Sequence, residues 1–146
     1  MTQEKKDLLL KDLCARLPYR VRCQCDNIKT QGVLKEIGIN YNMCRLYDSF
    51  TDEYENCYIF DCKPYLFPLS SITYEKIYDF YCRFIENECD FDDFKEFYLD
   101  NGMWHKLLTS LDDTEAIIDW FHKNHFDYRG LIPMGLANDA TDKNIY

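Results

Sequence analysis

The chain has 146 residues, a formal net charge of −9 and 47% hydrophobic residues, which is length enough for one domain whose core holds without disulfides. Five glycines and four prolines leave little room for a long disordered tract, and an acidic body repels phosphate backbones, which argues against direct nucleic-acid binding. Eight cysteines would suit a secreted scaffold, but only Leu8, Leu9 and Leu10 run together before Lys11 and Asp12, so the opening carries no signal-peptide apolar region.

No stretch approaches the ~20 apolar residues of a membrane helix. The expectation is a cytoplasmic chain, without membrane association, whose reduced thiols pack as small hydrophobes. Charge is uneven: Lys5, Lys6, Lys11, Arg16, Arg20 and Arg22 outnumber Glu4, Asp7 and Asp12 in residues 1–25, and the remainder is strongly acidic. Twelve tyrosines and ten phenylalanines should make the core dense in rings.

Residues 2–17 read as a helix capped by Thr2, with Leu9, Leu13 and Leu17 at every fourth position and Leu10 and Cys14 widening the stripe. Pro18 stops it. Val21, Cys23 and Cys25 then alternate with Arg20, Arg22 and Gln24, the period of a strand. Asp26-Asn27 signals a turn. Further strands are expected over roughly 31–39, from Met43 to Tyr47 and from Cys57 to Phe60, with a polar loop from Asp48 to Asn56; Pro64 and Pro68 break the pattern.

From Ser70 the period becomes helical. Thr73 is the expected cap of a helix with a stripe of Ile77, Phe80, Tyr81, Phe84 and Ile85. A shorter helix is expected from Phe91 to about Leu99, ending at Asn101-Gly102, and another from Asp112 to about Asn124. From His125 the chain reads as irregular. The expected fold class is α+β in one domain, 1–146. An N-terminal helix and a small antiparallel β-meander, with a partly closed SH3-like barrel as an option, fill 1–69; helices and an irregular tail fill 70–146.

The chemistry-bearing residues form no recognised catalytic pattern. A Cys2His2 metal site from Cys57, Cys62, His122 and His125 is conceivable, but no CxxC is present and the cysteines fall on expected strands. Core thiols are the expectation, with no metal or cofactor. No G-x-S-x-G, Walker A loop or G-x-G-x-x-G occurs, and five glycines make a phosphate cradle hard to build. An enzyme is not expected.

Two segments stand out as interaction candidates. Glu86, Glu88, Asp90, Asp92, Asp93, Glu96 and Asp100 are offset only by Lys95 within residues 86–100. They read either as a solvated helix face, with Asp90 as cap and Asp92 and Asp93 favoured by the helix dipole, or as an acidic decoy surface for a nucleic-acid-binding protein. The run His125, Phe126, Asp127, Tyr128 and Arg129 reads either as an exposed epitope or as a tail packed back on the domain, with Arg129 paired to a carboxylate.

Three blocks carry a resemblance. The opening Leu8-Leu9-Leu10-Lys11-Asp12-Leu13-Cys14-Ala15-Arg16-Leu17-Pro18-Tyr19, the middle Cys62-Lys63-Pro64-Tyr65-Leu66-Phe67-Pro68-Leu69-Ser70-Ser71, and Asn124-His125-Phe126-Asp127-Tyr128-Arg129-Gly130-Leu131-Ile132 stand in this order. Together they resemble a group of small uncharacterised proteins from phages and prophages of gut Bacteroidales. The resemblance implies a mobile-element protein acting in a bacterial cytoplasm, and it implies no activity. The function expected is a non-enzymatic phage accessory protein that engages a host or phage protein. The alternatives are the acidic decoy, and a small ligand-binding domain or enzyme with a pocket of scattered Cys, His and Asp.

Overall fold

The computed structural model describes residues 1–84, 90–96 and 114–146. The architecture is α+β, and the chain divides into two compact units, Met1–Leu69 with His122–Tyr146, and Ser70–Phe121. The expected irregular tail thus groups with the sheet and not with the preceding helices.

The first unit opens with helix α1, Gln3–Arg16, capped as expected: the Thr2 side chain accepts from the Lys5 amide. Its buried face is Leu9, Asp12, Leu13 and Arg16, the i, i+3, i+4, i+7 positions of one stripe. Cys14 is exposed and Leu10 only half-buried. A carboxylate and a guanidinium therefore sit where the leucine periodicity predicts a wider apolar face. Pro18 falls in a short 3-10 turn, Leu17–Tyr19, and Arg20 takes a left-handed φ of 59° to release the chain into the sheet.

Six strands follow: β1 Arg22–Cys25, β2 Thr30–Gly38, β3 Met43–Asp48, β4 Glu53–Tyr58, β5 Cys62–Leu66 and β6 Asn138–Asp139. Their order across the sheet is β4-β3-β2-β1-β5-β6. All neighbours are antiparallel except β5 and β6. The sheet stays open, with β4 and β6 at its edges, so the barrel option is not realised. Gly32 lies where β2 closes on β3: a Cβ there would stand 2.6 Å from the Tyr47 carbonyl oxygen.

Two strand expectations are corrected. The fourth strand begins at Glu53 inside the expected polar loop, and Ile59–Asp61 is a 3-10 turn. Full cross-strand register from Met43↔Tyr58 to Asp48↔Glu53 holds those polar residues in the ladder. The fifth strand contains Pro64, which the sequence marks as a break. Pro64 faces Cys23 across β1, and proline has no amide to donate, so Cys23↔Pro64 is a narrow, non-hydrogen-bonded pair. On the other side, β6 pairs only with Tyr65 and Leu66, so no strand there asks Pro64 for a donor. By parity Gln24↔Lys63 exchanges the hydrogen bonds, and Cys25↔Cys62 is again a narrow pair with side chains drawn together.

Residues 122–146 close this unit. The Phe67 amide donates to the His125 carbonyl at 2.9 Å, and the Asp127 amide donates to the Phe67 carbonyl at 2.8 Å. The Ala140 amide donates to Leu66 at 2.8 Å. The Tyr146 hydroxyl donates to the Tyr65 carbonyl at 2.7 Å and accepts from the Arg22 amide at 3.2 Å. Leu131, Leu136 and Ala137 join Leu9, Leu13, Val21, Leu34, Leu46, Ile59 and Leu66 in one apolar core.

The second unit is organised by rings. Helix α2, Tyr74–Phe84, starts after Thr73 as predicted, and Ile77, Tyr81 and Phe94 form a buried cluster with Ile72 and Tyr78 against it. Tyr81 and Phe94 lie 4.8 Å apart between ring centroids, and Phe80 and Trp120 lie 5.0 Å apart. The short helix α3, Phe91–Phe94, is capped by Asp90, whose carboxylate accepts from the Asp92 amide. Helix α4, Thr114–Lys123, begins within the expected span. Ile85 of the expected stripe, residues 97–99 with the expected cap Asn101-Gly102, and residues 112–113 lie outside the described residues.

Asp12→Ala is expected to destabilise the protein by about 3–5 kcal/mol in denaturant unfolding, because it leaves the Arg16 charge buried without its carboxylate. The double change Asp12→Leu with Arg16→Met should recover most of that loss. A single change costing less than ~1 kcal/mol would show that the pair is not buried as described.

Candidate functional site

Three groupings of chemistry-bearing side chains occur in the first unit. The first surrounds Arg16, which is fully buried with Asp12. Arg16 Nε donates to Asp12 Oδ2 at 2.7 Å, and Nη2 donates to the Phe126 carbonyl at 2.7 Å. Arg129 Nη1 donates to the other Asp12 oxygen at 3.2 Å, so one carboxylate serves two guanidinium groups. The Tyr128 ring lies 5.9 Å from the Arg16 guanidinium carbon and 4.9 Å from that of Arg129. Its hydroxyl is hydrogen-bonded to His122 Nε2 at 2.9 Å, and burial pushes its pKa up.

Next to this network the Asp127 carboxylate accepts from the amides of Leu131 and Ile132 at 2.7 and 2.8 Å, which fixes the turn through Gly130. His125 holds a left-handed φ of 57° and stacks on Tyr146 with ring centroids 4.0 Å apart. The run singled out as an interaction candidate is therefore inside the unit. His125, Phe126 and Asp127 are buried, and Tyr128 and Arg129 are half-buried. The pairing of Arg129 with Asp12 is the one expected of a tail packed back on the domain.

The second grouping is a cluster of thiols. Cys23, Cys25, Cys44, Cys57 and Cys62 are all buried. The sulfurs of Cys25, Cys57 and Cys62 lie within 4.8 Å of one another, and Cys44 Sγ stands 3.2 Å from Cys62 Sγ. Register explains the meeting, since Cys25 faces Cys62 and Cys44 faces Cys57 across their ladders, and the curl of the sheet brings the two pairs together. The hydrogen bond with the Cys62 thiol holds the Cys44 pKa below its ordinary value. That same bond is the largest cause raising Cys62, and burial pushes Cys57 up to about 12. His122 and His125 are not in this cluster, so the conceivable Cys2His2 set is not brought together.

The third grouping is on the outer face of the β3–β4 hairpin, which the sequence reading treats as a polar loop and a short strand. Tyr47 and Tyr54 face each other with centroids 5.1 Å apart. Arg45 stacks over Tyr54 at 4.8 Å, and Lys35 lies over Tyr47 at 5.6 Å. Tyr58 is exposed farther along β4, and Phe50 at the turn is 99% exposed. The Tyr47 hydroxyl donates to Asp52 at 2.7 Å, and this bond raises its pKa. Alternation in β4 signals this face, because Tyr54, Asn56 and Tyr58 point away from buried Cys57, but the signal is legible only once Glu53–Tyr58 is known to be a strand.

Of the acidic stretch, Asp90, Asp92, Asp93 and Glu96 are exposed. Asp90 acts as the α3 cap and Asp92 and Asp93 occupy its first turn. Glu86, Glu88 and Asp100 lie outside the described residues.

The fold and these groupings define an α+β protein with an open six-stranded sheet, a buried thiol cluster and an aromatic hairpin face. Comparison with protein families, with curated proteins and with solved structures finds no match. Among the described residues, no helix is long and apolar enough to cross a membrane.

Under native conditions near neutral pH, alkylation is expected to modify Cys14 and Cys82, which are exposed, much faster than Cys23, Cys25, Cys44, Cys57 and Cys62. Peptide mass mapping over time checks this. Rapid early labelling of Cys57 or Cys62 would contradict the burial and the raised pKa values described.

Proposed function

We propose that the chain is a non-enzymatic phage accessory protein that binds a host or phage protein, and that it does so through the outer face of the β3–β4 hairpin. The observation that carries this reading is the run of exposed rings on one hairpin: Tyr54 packed with Arg45 and Tyr47, Tyr58 farther along β4 and Phe50 at the turn, with Phe50 99%, Tyr54 52% and Tyr58 58% exposed. Isolated surface rings are ordinary. A tyrosine–arginine layer with a protruding phenylalanine is the composition that dominates binding energy at protein interfaces.

Position adds to composition. β4 is an edge strand of the sheet, so one row of its amides and carbonyls is available to a partner strand. Asp48, Asp52 and Glu53 flank the rings, which favours a partner whose facing surface is basic. The phage setting rests on the three sequence blocks that resemble proteins of phages and prophages, and it makes the bacterial cytoplasm the place of action.

The test is affinity capture from lysates of a Bacteroidales host and of phage-infected cells, followed by titration of the captured protein. Phe50→Ser and Tyr54→Ala are each expected to weaken binding by roughly 30-fold, the scale of a 2 kcal/mol interface anchor, with unfolding midpoints close to wild type. Binding unaltered by both substitutions would remove the hairpin from the account. A wild-type chain that captures nothing and stays monomeric would remove the binding function.

A further inference from the structure

The thiol cluster asks for an explanation that packing does not give. An apolar interior needs volume, and valine, alanine or leucine would supply it without polar hydrogens to place. Carbon atoms attract best at about 3.5–4.0 Å, whereas Cys44 and Cys62 bring their sulfurs to 3.2 Å, in hydrogen-bond contact and not in apolar packing. Four strands converge to make the cluster: Cys25 comes from β1, Cys44 from β3, Cys57 from β4 and Cys62 from β5. Of the seven free cysteines the structure describes, these four meet, while Cys14 and Cys82 face solvent.

We propose that Cys25, Cys44, Cys57 and Cys62 form a four-thiolate site for one thiophilic divalent cation, zinc. With Zn–S bonds of about 2.3 Å, the sulfurs of a tetrahedral site stand about 3.8 Å apart. The present separations bracket that edge, with 3.2 Å for one pair and 4.8 Å as the upper bound within the trio Cys25, Cys57 and Cys62. Cys44 touches the trio through Cys62 and stands beyond 4.8 Å from at least one of the other two sulfurs, so metal binding would draw the Cys44 side chain inward to complete the tetrahedron. Binding is a proton-for-metal exchange: Zn²⁺ plus four Cys–SH gives Zn(S–Cys)₄²⁻ and four H⁺, with no change of oxidation state.

The backbone is suited to hold such a site. Pro64 places Cys25 and Cys62 in a narrow pair, and the 3-10 turn Ile59–Asp61 sets Cys57 and Cys62 on either side of one tight reversal. The ion would tie β1, β3, β4 and β5 at one point, which stabilises a curled sheet whose edges are not hydrogen-bonded to each other. Closed four-coordinate thiolate sites are structural and not catalytic, so this inference is compatible with the binding role and independent of it.

The experiment is anaerobic titration of the full-length reduced protein with Co²⁺, added both to the native state and during refolding, followed by displacement with Zn²⁺. One equivalent of cobalt should produce sulfur-to-cobalt charge-transfer absorption together with intense visible d–d bands of a tetrahedral site, and one equivalent of zinc should abolish both. Wild-type protein that folds, by circular dichroism, without these bands in either protocol would overturn the proposal. Cys44→Ser and Cys62→Ser should each weaken binding by more than the ~10–100-fold that loss of an outer-shell partner costs, and Cys14→Ser with Cys82→Ser should leave it unchanged. If either cluster variant fails to fold, the intensity of the charge-transfer band in the wild-type protein reports the number of thiolates; an intensity corresponding to fewer than three would contradict the site. Metal that stays bound in the cluster variants and is lost from the Cys14 and Cys82 variant is adventitious, and also overturns it.

Discussion

Taking a carboxylate and a guanidinium wholly out of water costs several kcal/mol per ion, and their attraction offsets this only when the remaining hydrogen-bonding groups are met. Asp12 and Arg16 are both fully buried on α1, so their partners have to come from elsewhere in the chain. Residues 122–146 supply all but one: the Phe126 carbonyl takes one Arg16 donor, Arg129 covers the second Asp12 oxygen, and Arg16 Nη1 alone is left buried without a hydrogen-bond partner among the described residues. Helix α1 can lay this face on the core only while that segment is in place. The same segment adds β6 to the sheet and brings Leu131, Leu136 and Ala137 into the interior.

The sheet obeys a second constraint, set by parity. Once Pro64 faces Cys23, each ladder position toward the turn alternates between narrow and wide pairs, and Cys25 and Cys62 inherit a narrow one. Curl then carries Cys44 and Cys57 to the same point. A proline that reads as a strand breaker in the sequence is, in the folded chain, the residue that fixes which cysteines meet.

Much of the fold was legible because it depends on local periodicity. The capped first helix, the alternation of Val21, Cys23 and Cys25, and the helix after Thr73 follow from side-chain spacing and capping alone. What was not legible depends on distant partners. Asp12 and Arg16 have the i, i+4 spacing of an ordinary surface ion pair, and only the segment around Phe126 turns them into an interior pair. Glu53 to Asn56 is polar enough to read as loop, and only pairing with Arg45 to Asp48 makes it a strand. The aromatic hairpin face was hidden for that reason, whereas the ring-rich run His125–Arg129 was conspicuous, and its first three residues are buried while Tyr128 and Arg129 are half-buried. Burial of the strand cysteines could be read from alternation; their convergence could not, since it requires both register and curl.

An exposed tyrosine–arginine face needs a rigid support to keep its rings from collapsing inward, and here that support is the interior locked by α1 and residues 122–146. The account therefore stands or falls on whether these two segments and the central strands behave as one cooperative body. Native-state hydrogen exchange tests this directly. The amides of Asp127, Leu131 and Ala140, which are bonded to Phe67, Asp127 and Leu66, are predicted to exchange with the same opening free energy as the Leu34 amide of β2. Exchange of the first three through a separate opening, at several kcal/mol lower free energy than Leu34, would contradict the lock between Asp12, Arg16 and the segment that covers them.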